Sequence, residues 1–500
     1  MNTNRDVIII GYGPVGATLA AFLGQQKWRV TVIEREMNIY RQPRALHLDD
    51  EGVRIYQALG LLESMRGKVF SPMEEVEYLT SDGEILLSEP PDEKKSYGFA
   101  RHNVFFQPAL ETLLRETNQQ LASVETRLGY ELVSFSQTDD LVTATIRDVA
   151  SGSAAQKTVS ASYLIGCDGG RSTTRQQLGF DLKSFNFDES WLVVDVFLKD
   201  GVDNEMAGLS AKHRQYCDPK QPMTYVNGVG NHRRWEFMLV DGETKEVGLP
   251  KVKELLATQV DLDLIEISRH AVYTFHGLLA ETWRQGRVLL AGDAAHMMPP
   301  FGGQGMCSGC RDAHNLAFKL DLVLRGEARD GLLDTYQQER KPHVDAIIKG
   351  SISAGRIVQS RNPMMLFGKI LSQGENFLNT LNQTPRVKEG LLYPSSNSGA
   401  KMIQPLVKNI LGEEVLLDDV IGTGFALLGR VEAGLSTENQ AAALPIRCVT
   451  LGTDFTDHTN TLQPWLDEAN ANFILIRPDR YIFGTSTDAN ELVQALRSQL

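Results

Sequence analysis

Cysteine is scarce in this sequence, with five residues among 500. An odd and mostly scattered set of cysteines does not form the disulfide framework that is typical of small secreted proteins. We therefore expect a reducing compartment and predict a cytoplasmic location.

Long apolar runs and an excess of positive charge are also missing. No uninterrupted apolar run approaches the roughly 20 residues needed to cross a bilayer, and the chain opens in a strand-like run without a secretory signal pattern. The 63 acidic residues outnumber the 50 basic ones, which gives a formal charge of −13. This balance argues against nucleic acid or an anionic membrane as a partner, although a local pocket can still be basic.

The size and composition that remain indicate a globular protein with more than one domain. Five hundred residues exceed what one hydrophobic core supports, so two or three domains are expected. The 42% apolar and 23% charged residues argue against disorder.

The first 36 residues carry a nucleotide-binding pattern. An apolar strand (6–11), a helix (14–26) and a second strand (29–34) predict a β-α-β unit, with GYGPVG at its first turn. The glycines allow a tight turn, a close approach of backbone to a diphosphate and packing of helix on strand, and the diphosphate would lie at the helix N-terminus. A carboxylate at the end of the second strand accepts hydrogen bonds from ribose hydroxyls and disfavours the 2′-phosphate of NADPH. The candidate residues are Gly11, Gly13, Pro14, Val15, Gly16, Glu34 and Arg35. By itself this stretch does not separate NAD from FAD, or either from a related fold with an empty site.

Two later motifs separate these alternatives: GCDGGRSTTR (166–175) and GDAAHMMPPFGGQGMCSGCRDAHNLAFKL (292–320). With them, the sequence resembles the single-component FAD-dependent aromatic hydroxylases, typified by para-hydroxybenzoate hydroxylase. The resemblance is closest to the 3-(3-hydroxyphenyl)propionate hydroxylase group and covers roughly the first 360 residues. The closing ILIRPDRYIFG resembles the thioredoxin-like C-terminal domain of the longer members, here without a redox pair of cysteines.

The resemblance implies an α/β protein with three parts. They are a Rossmann-like FAD-binding domain, an inserted and mostly antiparallel β-sheet domain for the substrate, and a thioredoxin-like C-terminal domain. The segment rich in Val, Phe, Tyr and Trp between the two motifs agrees with the inserted sheet. The predicted boundaries are 1–180 for the first part of the FAD-binding domain, with a β excursion near 70–100, 181–276 for the sheet domain, 277–395 for the second FAD-binding part with long helices, and 402–500 for the C-terminal domain.

The same motifs supply further candidates for holding FAD. Asp293 follows a buried apolar strand, where a carboxylate can accept hydrogen bonds from ribityl hydroxyls and is costly without such donors. The glycine-rich run that follows enters a helix, whose N–H groups can face the negative edge of reduced flavin. In the family, Asp168 and Arg175 lie near the diphosphate and the nicotinamide nucleotide. Further candidates from these motifs and from PRALH and FFQP are Arg44, Leu46, His47, Gln107, Pro300, Gly303, Gly305 and Met306.

The implied reaction consumes NADH or NADPH and O₂. No second GxGxxG is present, so the reductant is expected to bind transiently and to reduce a tightly but non-covalently held FAD. The resemblance implies a C4a-hydroperoxyflavin that hydroxylates a phenol, and it favours the position ortho to an existing hydroxyl. The alternatives are a related enzyme that tailors a larger polyketide- or quinolone-type aromatic, an uncoupled NAD(P)H oxidase, and a flavin-fold escort protein without turnover.

A phenol must be drawn toward phenolate for this chemistry, because its unperturbed pKa is about 10. The candidate catalytic residues are Pro300 and, as bases or relays in the sheet domain, His213, Tyr216 and Tyr225. A carboxylate on the substrate could be held by Arg214, Arg233 or Arg234. We interpret Cys307 and Cys310 as small packed residues rather than a redox or metal pair, and expect no metal site. The chain is expected to be a monomer or homodimer.

Overall fold

The protein is described by a computed structural model that covers residues 5–91, 95–151, 155–240, 246–360, 385–430 and 444–500, with single positions at 362, 368, 432 and 434. Strands and helices are numbered along the chain. Most of 361–384, within the predicted second FAD-binding part, lies outside the described residues. No helix in the described ranges is long and apolar enough to span a bilayer.

The first sheet has eight strands, of which five run parallel in the order β18-β11-β1-β2-β8. Residues 7–10 of β1 are apolar and buried, as is typical of a parallel strand that is covered on both faces. Because β18 pairs with β11, two segments more than 100 residues apart end at the same edge. The strands are β1 (Arg5–Ile10), β2 (Val30–Glu34), β8 (Val124–Leu128), β9 (Tyr130–Gln137), β10 (Val142–Asp148), β11 (Gln156–Gly166), β17 (Arg284–Gln285) and β18 (Val288–Leu290).

The second sheet also has eight strands, in the order β19-β16-β12-β15-β14-β13-β5-β6, and all neighbours are antiparallel except β13 and β5. The strands are β5 (Val76–Leu79), β6 (Ile85–Glu89), β12 (Leu182–Leu198), β13 (His213–Tyr216), β14 (Met223–Asn227), β15 (His232–Met238), β16 (Ile265–Ala280) and β19 (His296–Met297). The sheet therefore extends beyond the predicted range 181–276. The hairpin of β5 and β6 covers the edge that β13 would otherwise expose, and β16 continues to Ala280 because it stays paired with β12. The predicted domain boundaries stay a prediction.

A small sheet and the helices complete the first 360 residues. The small antiparallel sheet contains β3 (His47–Asp49), β4 (Phe70–Pro72) and β7 (His102–Phe105). The helices of the described chain are α1 (Pro14–Gln25), α2 (Asp50–Ala58), α3 (Leu62–Met65), α4 (Gln107–Gln120), α5 (Thr173–Leu178), α6 (Leu249–Ala257), α7 (Gln304–Leu324), α8 (Asp334–Val358), α9 (Leu417–Ile421), α10 (Leu462–Glu468) and α11 (Ala489–Gln499). Helix α7 is buried along nearly its whole length, against α1, α2 and α8.

The C-terminal part has the strand arrangement of a thioredoxin-like domain. Its four-stranded sheet has the order β23-β22-β25-β26, with β22 and β23 parallel and the other neighbours antiparallel, and α11 follows β26. The strands here are β20 (Leu406–Asn409), β21 (Glu414–Leu416), β22 (Phe425–Gly429), β23 (Ile446–Thr450), β24 (Phe455–Thr456), β25 (Phe473–Ile476) and β26 (Ile482–Ser486). Cys448 is the only cysteine after residue 400, so this domain holds no dithiol.

Buried ion pairs join the C-terminal part to the helices of the first part. Arg477 pairs with Glu339 of α8 at 2.6 Å and with Asp479 at 2.7 Å. Arg54 of α2 pairs with Asp418 at 2.7 Å. We call the whole set the interface ion network, and its members are Glu51, Arg54, Arg311, Lys319, Glu339, Lys401, Asp418, Arg477, Asp479 and Arg480. All of them are buried, so removing one partner leaves a charge without compensation.

We expect Arg477→Met to lower the free energy of unfolding by about 3–5 kcal/mol, because it leaves two buried carboxylates without their guanidinium. The matched control is Arg29→Met, since Arg29 is 57% exposed and pairs with Asp6 at the surface. The control should change stability by less than about 1 kcal/mol. Thermal unfolding of the two variants checks this prediction. Equal shifts of the unfolding temperature in both variants would contradict a stabilising role for the interface ion network.

Candidate active site

A cavity of about 1120 Å³ lies where the carboxyl ends of three parallel strands meet the second sheet. Gly13, Cys167 and Ala291 follow β1, β11 and β18 and line one side of it. This is the place where open parallel sheets bind ligands. The opposite side is one face of β12 to β15, contributed mainly by Val193, His213, Gln215, Thr224, Val226, Arg234 and Glu236.

Two helix N-termini face this cavity. Helix α1 begins after Gly13 and α7 begins after Gly303, and neither N-cap residue makes a side-chain capping bond. The first N–H groups of a helix lack intrahelical partners and carry partial positive charge. Residues at both starts line the cavity, so it offers two sites for negatively charged or carbonyl oxygen atoms.

The three glycines of the first turn have different environments. A Cβ on Gly16 would lie 2.1 Å from the carbonyl oxygen of Gly11, and one on Gly11, where φ is +99°, would lie 2.3 Å from that of Cys167. A Cβ on Gly13 meets nothing within 4 Å and would project into open space. Gly11 and Gly16 therefore serve the packing of the turn, while Gly13 leaves room at the cavity wall.

Asp293 and Gln107 lie on the cavity wall with contrasting partners. The Asp293 side chain is exposed to the cavity and has no hydrogen-bond partner among the described residues. Desolvation by the surrounding protein raises the pKa of its carboxyl. The Gln107 side-chain oxygen accepts from the N–H groups of Arg44 and Ala45 at 3.0 and 2.8 Å. Gln107 therefore holds the loop that carries Arg44 against the start of α4.

Several candidate residues lie away from the cavity lining. The Asp168 carboxylate accepts hydrogen bonds from Ser172 and from the backbone and hydroxyl of Thr174, so it caps α5. Glu34 accepts from the N–H groups of Tyr12 and Glu36 at 2.7 and 2.8 Å and so fixes the glycine turn. Arg35 is exposed and pairs with Glu36. Contacts of these three residues with a cofactor stay a prediction.

The Arg175 guanidinium connects two loops near the cavity. It donates to the carbonyls of Ala294 at 2.8 Å and Gly170 at 2.7 Å. It therefore holds the loop after β18 against the loop after β11.

The remaining candidate cofactor residues all lie in the cavity lining. The Pro300 carbonyl accepts from the Gly303 N–H at 2.7 Å, which closes the turn that leads into α7. The lining contains Gly13, Pro14, Val15, Arg44, Leu46, His47, Gln107, Asp293, Pro300, Gly303, Gly305 and Met306.

Three histidines meet at the cavity, although they are far apart in sequence. The rings of His47 and His102 approach with Nε2 and Nδ1 at 2.9 Å, and His47 Nδ1 lies 3.3 Å from the Gly303 carbonyl. Burial, together with the neighbouring histidines, lowers the pKa of His47 to about 4 and that of His213 to about 3. Both rings are therefore neutral near pH 7. His102 was missed at the sequence level, because its position beside His47 arises from the pairing of β3 with β7.

Side chains alternate between the two faces of a strand, so only some of the other predicted catalytic side chains face the cavity. His213 lines the cavity, and Tyr216, three positions along β13, does not. Tyr225 packs on Trp235 at 5.1 Å and donates to the carbonyl of Ser210, on the face away from the cavity. The prediction of Tyr225 as a base or relay is thus corrected: its neighbours Thr224 and Val226 face the cavity instead.

The three arginines proposed for a substrate carboxylate are already engaged. Arg214 pairs with Glu77 at 2.9 Å, and Arg233 donates to Asn204 and to backbone carbonyls, both outside the cavity lining. Arg234 lines the cavity but pairs with Asp195 at 2.7 Å and donates to the carbonyls of Pro43 and Arg44. None of them is a free cation facing the cavity.

Cys307 and Cys310 are fully buried in α7, as their interpretation as packed residues requires. Cys310 contacts the Tyr56 hydroxyl at 3.2 Å, and burial raises the pKa of its thiol to about 11. A neutral thiol is a poor nucleophile, so this geometry does not favour redox chemistry. Among the described residues no cluster of metal-ligating side chains is found.

The whole chain is similar in fold to two solved enzymes. It matches the flavin-dependent monooxygenase PieE, solved with FAD and substrate, with a TM-score of 0.83 and 20% identity over all of both chains. It matches aklavinone-11 hydroxylase, solved with FAD and aklavinone, with a TM-score of 0.82 and 24% identity, again over all of both chains. The fold is that of the FAD-dependent monooxygenases.

Sequence comparison narrows this class to a family. Residues 4–351 match the model described as FAD binding domain, and 399–499 match the HcaD C-terminal domain. A probable NADH-specific resorcinol 4-hydroxylase of Rhodococcus jostii (strain RHA1) is 36% identical over 97% of this chain and 93% of that protein. The 3-(3-hydroxy-phenyl)propionate/3-hydroxycinnamic acid hydroxylase of Escherichia coli (strain K12 / DH10B) is 35% identical over 97% and 92%. The chain belongs to this family of FAD-dependent aromatic hydroxylases, as its motifs predicted, and FAD is its cofactor.

The residues at the cavity fit FAD. The two helix starts suit a diphosphate and the carbonyl edge of a flavin, and Asp293, without a protein partner, suits a hydroxyl donor such as those of the ribityl chain. Gly13 leaves the space that close approach of a ligand to backbone requires. Bound FAD supplies the hydride acceptor and the group that activates O₂.

We expect Gly13→Ala to weaken FAD binding without destabilising the apoprotein, because its new methyl group enters the cavity rather than the protein. Crowding of this kind costs about 1–3 kcal/mol, or roughly tenfold or more in affinity. Gly16→Ala is the matched comparison and should lower the thermal stability of the apoprotein, since its methyl group meets backbone. Fluorescence titration of apoprotein with FAD and thermal unfolding measure the two effects. Normal FAD affinity in Gly13→Ala would contradict this placement of the cofactor.

The low pKa values of His47 and His213 predict acid sensitivity. Between pH 6.5 and about 4 the unfolded chain binds protons at these histidines that the folded chain does not, so stability falls as the pH falls through this window. His213→Asn should reduce the slope of the unfolding midpoint against pH. An unchanged slope in His213→Asn would show that the ring is not held neutral by burial.

Proposed function

We propose that the enzyme hydroxylates a phenol at the position ortho to an existing hydroxyl, with NADH as the reductant. The observation that carries this proposal is the neutral His213 ring in the cavity wall, on the sheet opposite the start of α7. The names of the two relatives support it, since both act on phenols and one is described as NADH-specific.

A hydrogen-bonded row of side chains fixes His213. The Thr224 hydroxyl donates to the Gln215 side-chain oxygen at 2.7 Å, and the Gln215 amide nitrogen lies 2.7 Å from His213 Nε2. All three side chains line the cavity on adjacent strands. The row holds the imidazole in one orientation, as is required of a group that must meet a substrate hydroxyl.

This row can polarise a phenol without carrying charge of its own. With its Nε2 lone pair taken by the Gln215 amide, the neutral imidazole carries its proton on Nδ1. This N–H can donate a hydrogen bond to the phenol oxygen, which stabilises negative charge there and raises electron density at the ortho carbon. Because its pKa is about 3, the ring stays neutral and acts as a hydrogen-bond donor rather than as the base that takes the phenolic proton. Pro300 shapes the opposite wall and helps to exclude water from the reacting groups.

The proposal is tested with the purified holoenzyme, NADH or NADPH, and resorcinol or 3-(3-hydroxyphenyl)propionate, with products identified after reaction under ¹⁸O₂. We expect faster oxidation of NADH than of NADPH and one labelled oxygen ortho to the original hydroxyl. His213→Asn should reduce kcat by about 10²-fold, the lower range for loss of one hydrogen-bond donor to a developing oxyanion. Tyr225→Phe, on the far face of the sheet, should retain kcat. Oxidation of NADH that yields only H₂O₂ with every phenol would overturn the proposal in favour of an uncoupled oxidase.

A further inference from the structure

The charged groups around the substrate side of the cavity do not favour a substrate that bears a carboxylate. Arg234 and Arg269 line it, and both pair with Asp195, which lies beneath them at 2.7 and 2.6 Å. Glu236 lines the same wall, 3.5 Å from Arg234, and Glu89 lines it from β6. Together with Arg101, which also lines the cavity, these groups are three carboxylates and three guanidiniums, so the wall carries no net positive charge to receive a further carboxylate.

The other cations in the described lining are engaged or lie elsewhere. Lys349 pairs with Asp345 at 2.5 Å, and Arg311 pairs with Glu51 at 3.0 Å. Arg101 is not free, since it too has an interaction partner. Arg44 lies on the cofactor side, where its charge offsets part of the rise that burial causes in the pKa of Asp293.

Neutral hydrogen-bonding groups occupy the wall where a substrate ring would lie. His213, Gln215 and Thr224 are uncharged near pH 7, and Val193 and Val226 flank them. Burial already raises the pKa of Glu236, which shows that even one negative charge is costly at this position. A second carboxylate nearby adds like-charge repulsion in a poorly solvated space.

We propose that this wall selects an uncharged phenol over a phenol of the same size that bears a carboxylate, and that Glu236 is the specificity-determining residue. The proposal rests on the proposed function, because it concerns the phenol that the same cavity takes. The neutral row supplies hydrogen bonds to hydroxyl groups, and the two valines contact the ring. Glu236 acts through its charge and leaves the reacting groups unchanged.

The test uses oxidised holoenzyme and a matched pair of probes, 3-hydroxybenzamide and 3-hydroxybenzoate, which differ in charge but hardly in shape. Binding is followed by the change in flavin absorbance, which needs no turnover. We expect the amide to bind at least tenfold more tightly than the benzoate. Glu236→Gln should reduce this ratio by about tenfold, and Glu266→Gln, an exposed site on β16, should leave it unchanged.

Several outcomes would overturn the proposal: equal or tighter binding of the benzoate, a ratio unchanged by Glu236→Gln, or no binding of either probe. Benzoate binding that is lost selectively in Arg101→Gln would assign that arginine to a substrate carboxylate and overturn it as well. Failure of the proposed function gives a different result. In that case the amide binds with the expected preference and the response to Glu236→Gln, but NADH and O₂ give no hydroxylated product.

Discussion

The buried pairing of Asp195 with Arg234 and Arg269 is the interaction on which the cavity depends. Both guanidiniums also donate to the Pro43 carbonyl, so the substrate-side sheet holds the loop that leads to the cofactor side. The next residues of that loop are held by Gln107, and His47 then reaches the Gly303 carbonyl at the start of α7. A change at Asp195 would leave two buried cations uncompensated and release this loop. The two walls of the cavity are thus fixed relative to each other by one charged cluster.

Helix α7 connects the cavity with the C-terminal domain. Its N-terminus faces the cavity, while Arg311, Asn315 and Lys319 follow at intervals of four and lie on one side of the helix. Asn315 donates to Glu339 and Asp479 at 2.7 and 2.8 Å, and Lys319 pairs with Glu339. One helix therefore carries cavity-facing backbone at one end and members of the interface ion network along its length. The C-terminal domain thus contacts the helix that begins at the cavity.

The substrate wall combines neutral groups with charges that are already paired. Burial keeps His47 and His213 neutral, and the arginines that sequence reasoning offered to a substrate carboxylate are engaged by Asp195, Glu77 or backbone oxygen atoms. The electrostatics of the wall are therefore set by pairings between strands that are distant in sequence. Such a wall can hydrogen-bond a phenol and shield it from water, which are the two demands that hydroxylation places on the protein.

The sequence by itself determined the class of fold and the cofactor, because these rest on local patterns: a glycine turn between strand and helix, a strand ending in Gly-Asp, and a glycine run entering a helix. The contacts of individual residues with FAD stay a prediction. Local patterns cannot show which face of a strand a side chain occupies or what it pairs with across a sheet. Only the tertiary structure showed that Tyr225 faces away from the cavity, that Asp168 caps a helix, and that His102 adjoins His47. It also decided that β5 and β6 join the substrate sheet, since a strand edge is covered by whichever segment the folded chain brings to it. The physical reason is the same throughout: motifs specify backbone geometry over a few residues, whereas charge pairing and burial depend on contacts between residues far apart in the chain.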